Sequence, residues 1–444
     1  MENATMPQCP PNECPSPNGP SGRTPSGITL AGAWFLIACL LGSTPAWSET
    51  TDQVIAELRA ELRTLNERLA RIESRDSSRS SVSHAVGEGL PEFDYDSARQ
   101  SAALALPRPT AVMWYDTLNL EGDFRYRHEI IDAEFANDRQ RQRIRARAHL
   151  TAKITDQVDV GLGLASGGDD PVSSNQTLGN GASTKDVRLD LAYAAWATPV
   201  DGLSFAGGKF KNPVHRAGGN ALLWDSDFRP EGLMASFDRG ALFAHAWGLW
   251  VEERSTDDDS IVFGGQVGWR GELRATHLLV GASYFDFDTK GQAIAFDGDP
   301  RGNSIDANGD YLYDYEEIEV FAELGFDVAG HPVTLFADYA YNNDADEFDT
   351  GYALGAKVEF DGGRHAWQLG YVYQDLEADA VFALFTDSDF SGGGTDGKGH
   401  ILKGSYAITR QISLGGTLFV NERGGNAGVA EDYDRLQLDV SFTY

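Results

Sequence analysis

The stretch "DRQRQRIRARAHL" (Asp138 to Leu150) carries Arg139, Arg141, Arg143, Arg145 and Arg147 at every second position. On a helix a step of two turns each side chain by about 200°, which scatters such a set around the axis; on a strand the whole set shares one face. Ile144, Ala146, Ala148 and Leu150 then make the opposite face small and apolar. A row of guanidinium groups can steer anions, or, faced by carboxylates, set up a field across a water-filled space. Just upstream, in "LNLEGDFRYR", Glu121, Asp123, Arg125 and Arg127 alternate with Leu118, Leu120, Phe124 and Tyr126. Paired as a hairpin, the two strands place Arg125, Arg127, Arg141, Arg143, Arg145 and Arg147 on one wall, with Glu121 and Asp123 beside them.

The elements that hold this wall follow from the rest of the chain. It has 444 residues and a net charge of -31, which argues against a nucleic-acid partner, because phosphate contacts need a basic surface. With 49 glycines, 11% aromatics and four methionines, the composition favours strands and turns over a helical core. The one long apolar run, "ITLAGAWFLIACLLG" (Ile28 to Gly42), precedes "STPAWSET", where Ala46 and Ser48 stand at the −3 and −1 places of a cleavage site. Residues 1–48 therefore read as a secretory signal peptide, with lipidation at Cys39 or an uncleaved anchor as alternatives. Cleavage there removes Cys9, Cys14 and Cys39, all the cysteines in the chain.

Residues 49–75 carry Ile55, Leu58, Leu62, Leu65, Leu69 and Ile72 at alternating steps of three and four, the a and d seam of a short periplasmic coiled coil. A solitary amphipathic helix has the same spacing; a self-associating one makes the chain an oligomer, and a homotrimer is the expected state. Residues 76–114, rich in Ser, Gly and Pro, read as a linker. From there to residue 444 the period is two, down to the closing "RLQLDVSFTY". Sixteen such segments are counted, joined alternately by short turns such as "PVDG" and "VAGHP" and by longer acidic loops such as "GGDDPVSSNQTLGNGASTKD". Even-numbered antiparallel strands of about ten residues with this alternation predict an all-β, transmembrane, up-and-down barrel over 115–444 in contact with outer-membrane lipid. A soluble sandwich supplies no reason for loops to alternate in length. The aromatics Tyr126, Trp269, Tyr433 and Tyr444, at strand ends, are expected in the interfacial girdles.

The stretches "GDFRYRHEI", "RQRIRARAHLTAKITDQVDVGLGLASGGDDPVSSNQTLGNG", "DLAYAAW" and "GGKFKNPVHRAGGNALLWDSDFRPEG" resemble the Gram-negative putative porin family. The resemblance covers roughly residues 115–444 and is densest from Gly122 to Gly232. It implies an outer-membrane barrel passing small hydrophilic solutes or ions by diffusion, with no cofactor, and leaves the solute open. The arginine wall is then expected to line the lumen. A substrate-specific channel for anionic nutrients or polysaccharide, and a structural or adhesive barrel, are the competing readings.

Resemblance to general porins also implies that the third long loop (Asn212 to Gly232) folds inward, bringing His215, Arg216, Asp225, Asp227, Arg229 and Glu231 to a constriction. Further on, "DANGDYLYDYEE" spaces Asp306, Asn308, Asp310 and Glu317 like a loop of calcium ligands, although Tyr311 stands where such a loop has glycine. A Ca2+ ion in an extracellular loop is thus the one metal the sequence suggests. No GxSxG, HExxH or CxxC occurs. His245 shares a face with Phe243 and Trp247 but has no sequence-local serine, so an enzyme is not expected.

Overall fold

The computed structural model describes residues 117–256, 258–360 and 365–444. The signal peptide, coiled coil and linker expected over 1–114 lie outside the described residues. Period-two patterning becomes sixteen barrel strands: β1 (Leu118–Ala133), β2 (Arg139–Lys153), β3 (Val158–Ser166), β4 (Val187–Ala197), β5 (Leu203–Lys209), β6 (Glu231–Arg239), β7 (Leu242–Glu252) and β8 (Ser260–Leu273) form one half. The other half is β9 (Thr276–Phe287), β10 (Tyr315–Val328), β11 (His331–Asn342), β12 (Thr350–Phe360), β13 (Trp367–Leu376), β14 (Gly397–Ala407), β15 (Ile412–Arg423) and β16 (Glu431–Thr443). Each strand pairs antiparallel with its neighbours, and β1 pairs with β16, so the sheet closes and leaves no edge. Main-chain bonds seal the seam: the amide of Gly122 donates to Tyr444 O at 3.0 Å, and that of Tyr444 to Gly122 O at 3.1 Å. A two-residue strand, Gln176–Thr177, adds to β2 from within a loop.

Connections differ between the two ends. On one side they are tight; Ala329 and Gly330, both at positive φ, form a two-residue turn that matches the strand twist. Arg274, also at positive φ, and Ala275 form a similar turn between β8 and β9. On the other side four connections are long: L2 (167–186), L3 (210–230), L5 (288–314) and L7 (377–396). The remaining ones there are short, so the alternation in loop length holds only in part.

The outer face is apolar throughout, as with Leu162, Phe263, Val267 and Leu354, each at least 49% exposed. A continuous apolar belt of this extent on a closed barrel is a surface made for hydrocarbon. Trp269 and Tyr444 stand on this outer side as expected, but Tyr433 does not: it is buried, packed with Ile131 and Ala133, and stacked under Arg423 at 4.5 Å. Its parity is that of Arg435, the inward row of β16, and that parity overrides its place near the strand end.

The interior has two unlike halves. Across β7–β11 much of the inward surface is aromatic or aliphatic, with Phe243, Trp247, Leu249, Phe285, Phe287, Phe321 and Phe336, interspersed with buried Gln266, Glu317, Glu319 and Asp338. Loop residues Leu222, Trp224 and Phe228 of L3, Tyr311 of L5, and Phe382 and Phe385 of L7 pack onto them. Trp224 meets Phe285 edge-on at 5.1 Å, and Phe228 lies 4.2 Å from Phe385. Each buried ring contributes about 2 kcal/mol or more to holding these loops inside. The opposite half, from β12 through β16 to β2, is polar.

Candidate functional site

Register places the arginines. Asp123 faces Arg147, Arg125 faces Arg145, Arg127 faces Arg143 and Glu129 faces Arg141 across the β1–β2 hairpin. All have the inward parity of buried Arg127 and Glu129, opposite to exposed Leu120 and Phe124. The wall is therefore neutralised in place. Arg127 donates to both oxygens of Asp439 on β16 at 2.8 Å, and also to Asp389 of L7 at 3.0 Å. Arg145 and Arg147 reach Asp123 at 3.0 and 2.6 Å and converge on Asp227 of L3 at 3.3 and 3.0 Å. Arg141 donates to Glu129 at 2.6 Å, with Arg143 3.9 Å from the same carboxylate. Arg125 donates to Asn175 of L2 at 2.7 Å and lies 3.9 Å from Asp439. Glu121, lower on the same row, pairs with Lys211 at 2.7 Å.

L3 crosses the interior from β5 to the far wall. His215 receives support twice: its amide donates to Gln266 of β8 at 2.8 Å, and its Nε2 lies 2.9 Å from Glu323 of β10. The Gly218 amide donates to the same Glu323 at 2.7 Å, and the Asn220 amide group donates to Asp338 of β11 at 2.8 Å. Gly218 sits at φ +59 against Phe336, whose ring lies 2.2 Å from where a Cβ would be. Gly218→Ala must therefore displace the ring or the loop tip and adopt a disfavoured backbone, at a cost of about 1–2 kcal/mol or more. We expect this variant to make L3 cleavable by protease under conditions in which the wild-type loop resists; equal resistance would refute the anchoring.

The expected constriction residues divide. Asp225 and Asp227 face the polar half, and Arg216, whose Nη1 donates to Trp224 O at 3.1 Å, lines the same cavity of about 180 Å3. Arg229 stands 3.5 Å from Asp190, which also meets His149 at 3.0 Å. Glu231, at the start of β6, pairs with Lys209 at 2.7 Å and lines a neighbouring cavity together with Asp190, Asp227 and Arg229.

L7 is the part the sequence reading missed. Asp225 accepts from the Ser388 amide at 3.0 Å, and its own amide donates to Phe385 O at 2.8 Å, so L3 and L7 are stitched together. Arg435 of β16 donates to Asp389 at 2.6 Å. Burial pushes the Asp225 carboxyl well above the usual carboxylate range, reinforced by Asp387 and Asp227. Burial, then Asp389, raises Asp387 as well. For Asp227 burial acts the same way, but Arg145 and Arg147 outweigh it and hold the group at about 2. Asp389 is held low too, where Arg435 and Arg127 outweigh its burial. The signal for L7 was present in "AVFALF" (380–385), an apolar run that a loop exposed to water would not carry.

The four expected calcium ligands do not come together. Asp306 spends its carboxylate on the amides of Asn308 and Asp310 at 2.7 and 3.1 Å, closing its own turn. Glu317 is buried inside the barrel on β10 and accepts from the Phe382 amide at 2.6 Å. Among the described residues no group of three His, Cys, Asp or Glu could hold a metal ion. His245 does have a serine partner, Ser236 at 2.9 Å, supplied across the β6–β7 pair and facing inward, away from lipid.

The profile of the family described as "Putative porin" matches residues 132–295 and 305–443. No curated protein sequence matches the chain. Among solved structures, Pseudomonas putida OprB at high pH aligns with 11% identity over 79% of this chain and 97% of its own, at a TM-score of 0.53. Salmonella typhi OmpF in complex with daunomycin aligns with 12% identity over 75% and 99%, at 0.47. A triple mutant of Rhodopseudomonas blastica porin aligns with 12% identity over 74% and 100%, at 0.44.

Proposed function

Since the chain belongs to the putative porin family, we propose that it is an outer-membrane channel through which small hydrophilic solutes and ions diffuse along the polar side of the lumen, off the barrel axis. The observation that carries this reading is the pairing of an apolar outer belt with an interior whose ion pairs leave a polar cavity between the β1–β2–β16 wall and the L3–L7 stitch. Arg125, Arg127 and Arg145 of the wall, Arg216, Asp225 and Asp227 of L3, and Asp387 and Asp389 of L7 line it. A solute crossing this gap meets a transverse field, which orders dipolar molecules and slows those too wide to turn. The wall residues Arg141, Arg143, Arg147, Glu121 and Asp123 extend the same charged row above and below.

In this reading the mature chain begins after Ser48, its coiled coil stands in the periplasm, and the barrels assemble as homotrimers. The family and fold suggest a channel rather than an enzyme, and transport needs no cofactor.

Planar-bilayer recording of the purified protein tests the proposal. Stepwise openings are expected, in threes if the trimer is right, with a reversal potential in a salt gradient that shifts toward cations when Arg143, Arg145 and Arg147 are all replaced by glutamine. Loss of flux of one anion alone in that variant would favour a substrate-specific channel. Unchanged conductance and selectivity would remove these arginines from the conduction path.

A further inference from the structure

Lys357 and Lys403 are inward-facing cations that the arginine wall does not include. They stand on β12 and β14 at one level, on either side of Gly370 of β13: Lys357 faces Gly370, and Gly370 faces Lys403. Two strand spacings separate their backbones, about 10 Å, a gap that two lysine stems can close around one small ligand. Gly370 leaves that gap empty; a Cβ there would come no nearer than 3.8 Å to any neighbour. A cavity of about 300 Å3 opens in front of it, with Gln368, Ser405 and Thr417 offering polar groups. It adjoins the charged constriction, sharing Gly219, Lys403 and Thr417 with it.

The charge balance here is unlike that of the arginine wall. Each of the six wall arginines has a carboxylate within 4.0 Å. Neither lysine has one among the described residues. The acids that face them stand beyond 4.0 Å and have other partners: Glu323 is held by His215 and the Gly218 amide, Glu359 accepts from Gln368, Asp387 of L7 accepts from the Asp389 amide, and Asp439 takes the bidentate bond from Arg127. Arg216, across the shared boundary, donates to a carbonyl and likewise has no carboxylate within 4.0 Å among the described residues.

We infer that Lys357 and Lys403 form a binding station for a small oxyanion of two charges, inorganic phosphate, sulfate or a short dicarboxylate, immediately beside the constriction. Two ammonium groups on flexible stems match such an anion as paired point charges, and the Ser405 and Thr417 hydroxyls can donate to its remaining oxygens. The inference rests on the reading of the chain as a diffusion channel, whose substrate class it narrows.

The test has two readouts. Calorimetric titration of the detergent-folded protein with sodium phosphate is expected to show saturable binding, weakened about tenfold or more in the Lys357→Gln/Lys403→Gln double variant and in Gly370→Val, which fills the gap but keeps both charges. Arg239→Gln, in an exposed pair with Asp201 at the tight-turn end, should bind as wild type. In bilayers, phosphate should reduce the chloride current of the wild type in a saturable way and lose that effect in the double variant. Absence of phosphate binding, or equal binding by wild type and a double variant shown to be folded by its β-sheet circular dichroism, overturns the station. Current without any phosphate dependence keeps the channel and rejects the station; phosphate binding lost in the double variant without current in the wild type does the reverse.

Discussion

Replacing Asp227 by alanine is expected to release the tip of L3 from the arginine wall and turn the constriction strongly anion-selective. Asp227 is the carboxylate on which Arg145 and Arg147 both converge, and it also accepts from the Ser174 hydroxyl at 2.8 Å. Its side chain and those of the two arginines are at most 16% exposed, so solvent screens the network little. Removing one member of so buried a network costs about 3–5 kcal/mol, because the remaining charges stay desolvated with fewer partners. Asp123 alone then faces two guanidinium groups. The reversal potential should move toward that of the anion, unit conductance should rise, and L3 should become accessible to protease. Asp227→Asn, which keeps a hydrogen-bonding group of the same shape, should reproduce the selectivity change with less loosening. A reversal potential equal to that of the wild type in both variants would show that ions do not pass this carboxylate.

The second large effect concerns pH. Asp225 carries the L3–L7 stitch, and the charged groups around it are Asp227 and Arg216 on its own loop and Asp387 on L7, itself facing Asp389, Lys403 of β14 and Arg435 of β16. Burial, and then the neighbouring carboxylates, raise Asp225, and burial raises Asp387. The stability these groups lend the contact is therefore fully present below the ordinary carboxylate range and is lost as pH rises through their raised values. Asp227 works in the opposite sense: its contribution is present above the ordinary range and is lost only as pH falls toward about 2. Above the ordinary carboxylate range there is thus a window, set by the raised Asp225 and Asp387, in which the anchor to the arginines stays intact while the stitch between the loops loosens. Conductance should rise with pH across this window, with more frequent switching between levels. Asp225→Asn should hold the channel at its low-pH level throughout, whereas a pH response identical to that of the wild type would place the sensing group elsewhere.

Much of the architecture is legible in the residue pattern, because a barrel wall imposes a period of two on every strand. Register is legible as well: once "LEGDFRYR" and "RQRIRARAHL" are adjacent, their inward rows must be the charged ones. The arrangement on β7–β11 is harder to read, since strands such as "LFAHAWGLWVE" are apolar on both faces, one facing lipid and the other a packed half-lumen. Where both faces are apolar, alternation ceases to say which is which. Tyr433 departs from its expected place for a related reason: nearness to a strand end counts for less than parity. The partners of the arginines were hidden by distance along the chain. Arg127 and Asp439 are 312 residues apart, and only closure of the sheet makes them neighbours. The calcium spacing failed because ligand order along a chain has meaning only in a loop that curls around the ion, and here Glu317 is already part of a strand.

That closure bears on how the chain assembles. The seam between β1 and β16 is also where the densest set of buried charges meets, with Arg127, Glu129, Arg435 and Asp439 coming from the two ends of the barrel sequence. Until the last strand arrives, Arg127 lacks Asp439 and Glu129 has only the hairpin arginines Arg141 and Arg143, and an unclosed intermediate must keep this edge hydrated. Insertion into hydrocarbon before closure would strand those charges, so the order of events is constrained: the ends must meet before, or as, the seam leaves water. Contacts of such high sequence separation also form slowly. The same ion pairs that shape the passage in the finished barrel therefore act, during biogenesis, as a checkpoint that only a full-length chain can pass.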